Sequence, residues 1–162
     1  DEFSINNNKV NILRYDTFAD SLEYYPGQKV YVFGFPGAVG PEYWTKSILR
    51  EGIVSWVNAK KPHKVPFLID CDVFPGNSGG PVLSVPYGIS RKGTILDGGN
   101  ISFMGIVSQR RLGHNLIMDS KGNIIQDIKG TRLVSYESIG VGVVEPAYRV
   151  KELLKHIEKE IK

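Results

Sequence analysis

Apolar residues in this chain come in short bursts divided by glycine, proline and polar clusters, the pattern of many short strands. Residues 3–5 alternate, 6–9 form a polar turn, and 10–13 are apolar again. Pro26-Gly27 marks a turn before residues 29–35 (KVYVFGF). That run is almost wholly β-branched and aromatic, which predicts a strand buried on both faces. Residues 47–57 predict a second strand, with a bulge expected at Gly52. Residues 58–66 are basic and punctuated by proline, and read as a solvated hairpin tip carrying Lys60, Lys61, His63 and Lys64. Residues 67–71, 82–85 and 101–109 predict further strands, with a loop over 86–100. Within 110–138, Asp119-Ser120-Lys121-Gly122-Asn123 predicts the turn of one inserted hairpin. Residues 139–144 are the last predicted strand.

Helical periodicity emerges after Pro146. Val150, Leu153, Leu154, Ile157 and Ile161 form one apolar stripe, expected to pack on the sheet. Glu158 and Lys162 are spaced for an i,i+4 pair. The count is six or seven strands and one C-terminal helix over 146–162, with no internal repeat. The expected fold is all-β, an antiparallel six- to seven-stranded barrel closed by a C-terminal α-helix.

Composition narrows the function classes. The 162 residues are 41% hydrophobic and 23% charged, ordinary for a globular chain, and 18 glycines and nine prolines agree with a turn-rich β fold. A net charge of +3 is too small to point to nucleic acid, and only Lys60, Lys61, Lys64 and the Arg110-Arg111 pair speak for it. No apolar run approaches the roughly 18 residues of a membrane span. The single Cys71 excludes an internal disulfide and is compatible with the cytoplasm. Asp1-Glu2-Phe3-Ser4 is not a signal peptide and lacks a starting Met, so the chain reads as a processed or truncated piece. One Cys and three scattered His give no metal-ligand spacing, no phosphate loop is present, and no cofactor is expected.

Chemistry concentrates in Phe74-Pro75-Gly76-Asn77-Ser78-Gly79-Gly80-Pro81-Val82-Leu83. A serine on a glycine-rich turn can sit beside open backbone N–H groups, which is what an acyl-transfer site needs to hold an oxyanion. The same letters also suit a plain Gly-Pro turn with an exposed serine.

Four stretches in order carry a resemblance: PGQKVYVFGFPG, FLIDCDVFPGNSGGPVL, FMGIVSQ and IGVGVVEPAYRVKELL. They resemble the C-terminal β-barrel of chymotrypsin-like serine peptidases, especially the trypsin-like and HtrA (Deg) branch. The resemblance implies that residues 1–28 are a remnant of the first barrel with the inter-barrel linker, and that 29–162 are the second barrel with its helix. It implies Ser78 as nucleophile, the N–H groups of Gly76 and Ser78 as oxyanion hole, and Asn77 shaping the turn. Ser108, Gln109 and Arg110 match the strand that pairs with an extended substrate. Asp72 falls where trypsin-like members place the base of the specificity pocket, which would favour a basic side chain. The HtrA branch commonly carries its acid at the position of Asp70 instead. Glu2, or Asp1 beside it, matches the triad acid.

A serine needs a base to take its proton and a third group to orient that base. His63, His114 and His156 all fall at positions that do not match the family's histidine. The reading is therefore the C-terminal portion of a serine endopeptidase acting on polypeptides through an acyl-enzyme on Ser78. Its histidine would come from an N-terminal barrel of the same precursor or from another chain, and this chain alone is expected to be inactive. The alternative is a protease-like pseudo-enzyme that binds extended peptides or a partner protein.

Overall fold

The computed structural model of the chain describes residues 3–5, 8–10, 13–35, 40–41, 46–85, 87–89, 94–97 and 99–161, with backbone alone for 3–5, 8–10, 87–89 and 95–97. Six strands close into an antiparallel barrel: β3 (Lys29–Gly34), β4 (Ile48–Trp56), β5 (Phe67–Asp70), β6 (Pro81–Ser84), β9 (Ser102–Leu116) and β10 (Val134–Pro146). Around the barrel the order is β10-β5-β4-β3-β6-β9, and pairing of β9 with β10 closes it. Closure pairs every strand of the barrel on both sides over part of its length, which reduces the aggregation hazard of an open sheet. Two small sheets stand apart, β1 (Phe3–Ile5) with β2 (Asn8–Val10), and β7 (Tyr87–Ile89) with β8 (Ile95–Asp97). The latter pair occupies the stretch expected to be a loop. Its flanking Gly, Pro and charged residues hide a pair of three-residue strands too short to show a period.

The core is built by alternation. Along β3, Val30 and Val32 are fully buried while Lys29, Tyr31 and Phe33 are only half-buried. The expected burial on both faces is thus corrected to one face, because aromatic residues cover part of the outer wall without entering the core. Val54, Phe67, Ile69, Val82, Met104, Val107 and Val144 complete the interior. Burying each such side chain contributes roughly 1.5–3 kcal/mol. Gly52 is not the bulge. The register shift in β4 falls between Val54 and Trp56, and a Cβ on Gly52 would stand 2.4 Å from the Asp70 carbonyl oxygen. The glycine there permits close approach of β5.

Residues 13–28 form a strap built into the barrel. Ala19 N–H donates to the Phe103 carbonyl at 2.9 Å. Tyr24 is buried, packs edge-on against Phe67, and donates its hydroxyl proton to the Met104 carbonyl at 2.7 Å. The same hydroxyl accepts the N–H of Ala147 at 3.3 Å, at the first turn of α1 (Ala147–Glu160). Burial pushes the Tyr24 phenol well above its ordinary range.

The helix corrects a second expectation. Its stripe packs on the sheet only at its start: the helix runs beside β9 and Val150 is half-buried, but Leu153 is 59% and Ile161 80% exposed. What covers it in part is the strap. Leu154 lines a hollow with Leu13, Tyr15 and Phe18, and Tyr15 donates its hydroxyl proton to Glu158 at 3.1 Å. Lys162 lies outside the described residues, and with it the expected Glu158–Lys162 pair. The 58–66 loop is no free tip either. His63 stacks edge-on with Tyr148, the Lys64 ammonium lies 5.2 Å from that ring, and Arg149 Nε donates to the Lys64 carbonyl.

Beyond the barrel, the outer halves of β9 and β10 pair only with each other, from Leu112↔Ser138 to Leu116↔Val134. At the end of this arm stands a short tandem repeat, which corrects the expectation of no internal repeat. Ile117-Met118-Asp119-Ser120-Lys121-Gly122-Asn123-Ile124 is followed by Ile125-Gln126-Asp127-Ile128-Lys129-Gly130-Thr131-Arg132. In each copy the Asp Oδ1 accepts the N–H groups two and four residues on: Lys121 and Asn123 for Asp119, Lys129 and Thr131 for Asp127. Three backbone bonds then link the copies into a triangle, Ile125 N–H to the Ile117 carbonyl, Leu133 N–H to Ile125, and Ile117 N–H to Leu133. The single expected hairpin is thus two tandem turns.

These bonds favour the charged carboxylates. The Asn123 side-chain amide, then backbone N–H groups, holds Asp119 below the usual carboxylate range, and the N–H groups of Thr131 and Lys129 do so for Asp127. A depressed folded pKa contributes stability that is present above the unfolded value and lost as pH falls through the folded one. Lowering pH from about 5 to about 2 is therefore expected to loosen both turns. Amide resonances of Lys121, Asn123, Lys129 and Thr131 will report it, and resonances that stay fixed while the barrel remains folded would count against this account.

Candidate active site

The segment after β5 is shaped residue by residue. Cys71 N–H donates to the Gly140 carbonyl at 2.9 Å, and Val73 is buried beneath it. The chain then turns. Asn77 N–H donates to the Phe74 carbonyl at 3.0 Å and Gly80 N–H to the Asn77 carbonyl at 2.9 Å. Two outward attachments fix the turn against the barrel. Phe35 N–H, just past β3, donates to the Gly76 carbonyl at 3.1 Å. On the other side, Gly79 N–H donates to the Val107 carbonyl at 2.8 Å and Val107 N–H to the Gly80 carbonyl at 3.0 Å.

Asn77 is the pivot. Its side chain is fully buried, and Oδ1 accepts the Phe74 N–H at 3.0 Å. Its Nδ2 is buried without an acceptor among the described residues. With Asn77 turned inward, its neighbours Gly76 and Ser78 are both exposed. Gly76 has φ +102°, a conformation that an L side chain rarely adopts. Neither Gly76 N–H nor Ser78 N–H has a backbone acceptor among the described residues. Behind the turn, the Arg50 guanidinium carbon lies 4.4 Å from the centre of the Phe74 ring, a cation–π contact that steadies it.

Ser78 opens onto a cavity of about 230 Å³ lined by Val73, Phe74, Pro75, Ser78, Val107, Gln109 and Arg110. Two larger hollows lie along the strap, one over Leu13–Phe18 and Leu154 and one between Asp16–Phe18 and Asn100–Ser102. Neither holds a serine on a glycine turn, so size does not select the site. Cys71 is buried, and that burial pushes its thiol up and so disfavours the thiolate that a cysteine nucleophile needs.

The candidates named from the sequence separate into three groups. Ser78, Gln109 and Arg110 meet at the cavity, with Gly76 and Asn77 in the adjoining turn. Ser108 precedes Gln109 on β9 and is not among the described lining residues; its hydroxyl donates to the Val143 carbonyl of β10 at 3.2 Å. Asp72 is not among the lining residues. It is exposed, and its carboxylate accepts the Ser138 hydroxyl at 3.1 Å at the root of the arm. Asp70 ends β5, exposed, with Gly140 close to its Oδ1. Asp1 and Glu2 lie outside the described residues. None of the three histidines lines the cavity. His63 stacks on Tyr148, and His156 Nε2 lies 3.1 Å from Glu160.

Val73, Phe74, Pro75 and Val107 lie in stretches that the sequence singles out, but none of them is named there as a cavity residue, and Arg50 is not named at all. Val107 sits in the quoted FMGIVSQ stretch, but its place on the cavity wall follows only from the β6–β9 register. Arg50 carries no local signal at all.

Residues 4–88 match the trypsin-like peptidase domain family. That is more than half of the chain, and the closed six-stranded barrel agrees with it. The chain belongs to the trypsin-like peptidase domain family. No curated protein is similar enough to match it. Among the described residues no helix is long and apolar enough to cross a membrane.

Proposed function

We propose that this chain is the C-terminal portion of a trypsin-like serine endopeptidase, with Ser78 as the nucleophile. One observation carries the reading: an exposed serine on a turn whose Asn77 is buried and whose N–H groups at Gly76 and Ser78 are left without backbone acceptors, at the mouth of a side-chain-sized cavity. Such N–H groups are donors already in place for the oxyanion of a tetrahedral intermediate. The Ser78 oxygen attacks the scissile carbonyl, the amine departs with a proton, and water then hydrolyses the acyl-enzyme. Gln109 and Arg110 pair with β10 on one side only and lie past the end of the β6 pairing at Ile106, so an extended substrate can pair along their other side.

The base is the part this chain does not supply. With no histidine at the cavity, Ser78 keeps only the contributions of oxyanion binding and substrate binding. We place the histidine on a first barrel, from the same precursor or another chain, with Glu2 or Asp1 as the acid that orients it. The lack of a histidine at the cavity also favours a second reading, a pseudo-enzyme that binds extended peptides. A fluorophosphonate probe separates them. The 162-residue chain is expected to stay unlabelled, and a longer form with a His-bearing barrel ahead of Asp1 is expected to be labelled at Ser78. Stoichiometric labelling of the short chain would overturn its predicted inactivity. A longer form that stays unlabelled would leave the pseudo-enzyme.

A further inference from the structure

The cavity beside Ser78 also says which side chain it takes. We infer that it seats an uncharged, medium-sized apolar side chain and rejects lysine and arginine, with Arg110 as the residue that enforces the rejection. This rests on reading the Ser78 turn as a peptide-binding site, though not on that site being catalytically active.

The lining decides the chemistry. Val73 and Val107 are almost wholly buried, and with Phe74 and Pro75 they make four of the seven described lining residues apolar. Among the described lining residues there is no carboxylate, and their one charged group is the Arg110 cation. The acid that sequence position offered, Asp72, is exposed and hydrogen-bonded to Ser138 instead. A lysine entering here would leave water for a wall of valine and phenylalanine, find no counter-charge, and approach a like charge at Arg110. Burying an unpaired ammonium is costly, and the adjacent guanidinium adds repulsion. A leucine meets neither penalty and gains burial of its methyl groups. The volume also limits the guest. About 230 Å³ is below the usual range for a small-molecule site, and holds one side chain. A glutamate could reach Arg110, but only by bringing its carboxylate against the same apolar wall.

Peptide binding to the 162-residue chain tests this without requiring turnover. The probes are acetylated pentapeptides of one sequence ending in leucine, lysine or glutamate. Their terminal carboxylate can reach the Gly76 and Ser78 N–H groups and so direct the last side chain into the cavity. The leucine peptide is expected to bind roughly tenfold or more tightly than the lysine peptide, with shifts at the Val73 and Val107 methyl resonances. Arg110→Gln narrows that gap by tightening binding of the lysine peptide, while Asp72→Asn leaves the leucine-to-lysine ratio unchanged. Both positions are exposed, so both variants are expected to fold. Equal or tighter binding of the lysine or glutamate peptide would overturn the inference. So would a gap that survives Arg110→Gln, a selectivity that follows Asp72, or no binding of any of the three. Leucine-selective binding in a protein never labelled at Ser78 would sink the enzyme reading and leave this one standing.

Discussion

Gly80→Ala is expected to destabilise the barrel by more than about 3 kcal/mol and to dismantle the Ser78 turn with it. A Cβ at this position would stand 1.9 Å from the Phe33 carbonyl oxygen and 2.8 Å from that of Asn77. Both obstacles are backbone, so no side-chain rotation relieves the clash. The only escape is to move the turn off β3, which pulls on the bonds from Gly80 to Asn77 and Val107. Urea unfolding will measure the loss as a fall in midpoint at unchanged slope. Gly79→Ala is the control. Its Cβ would meet nothing within 4 Å, so only its left-handed conformation is penalised, at roughly 1–2 kcal/mol. Equal losses at the two positions would show that steric closeness of β3 is not the reason for glycine at 80.

Tyr24→Ala should produce the second large effect, a loss of about 3–5 kcal/mol. The ring is buried against Phe67, and its hydroxyl joins three parts of the chain: the strap that bears it, the Met104 carbonyl of β9, and the Ala147 N–H of α1. Deleting the ring leaves a cavity and two polar groups without their partner. Tyr24→Phe isolates the second contribution, for which a loss of about 1–3 kcal/mol is expected. Hydrogen exchange gives a sharper reading than the midpoint alone. In Tyr24→Phe the first-turn amides of α1 should exchange faster than the barrel strands. Uniform acceleration throughout would mean that the hydroxyl does not tether the helix.

The barrel was legible because its strands obey local rules. Residues 29–35, 47–57 and 67–71 carry β-branched runs between turn signals, and the observed strands fall within them. The turn at Ser78 was legible for a related reason, since glycine and proline mark where the backbone must bend. What stayed hidden depends on distant partners. Whether Asp72 faces a pocket or Ser138 is decided by the root of an arm 66 residues away. The helix stripe is apolar by period, yet part of what it faces is the strap, which no periodicity announces. The tandem turns of 117–132 repeat every eight residues and only twice, too short a run to stand out from ordinary turn composition.

The attachments of the Ser78 turn carry a consequence for the order of events in folding. Its outward bonds come from Phe35, 41 positions before Gly76, and from Val107, some 30 positions after it. Neither anchor is local, and contacts between residues so far apart form late, after the loop-closure entropy between them has been overcome. A chain whose β9 has not yet docked therefore presents Ser78 as an ordinary hydroxyl on a loose loop. The geometry of the turn arrives only with barrel closure, so a partly folded chain does not carry it.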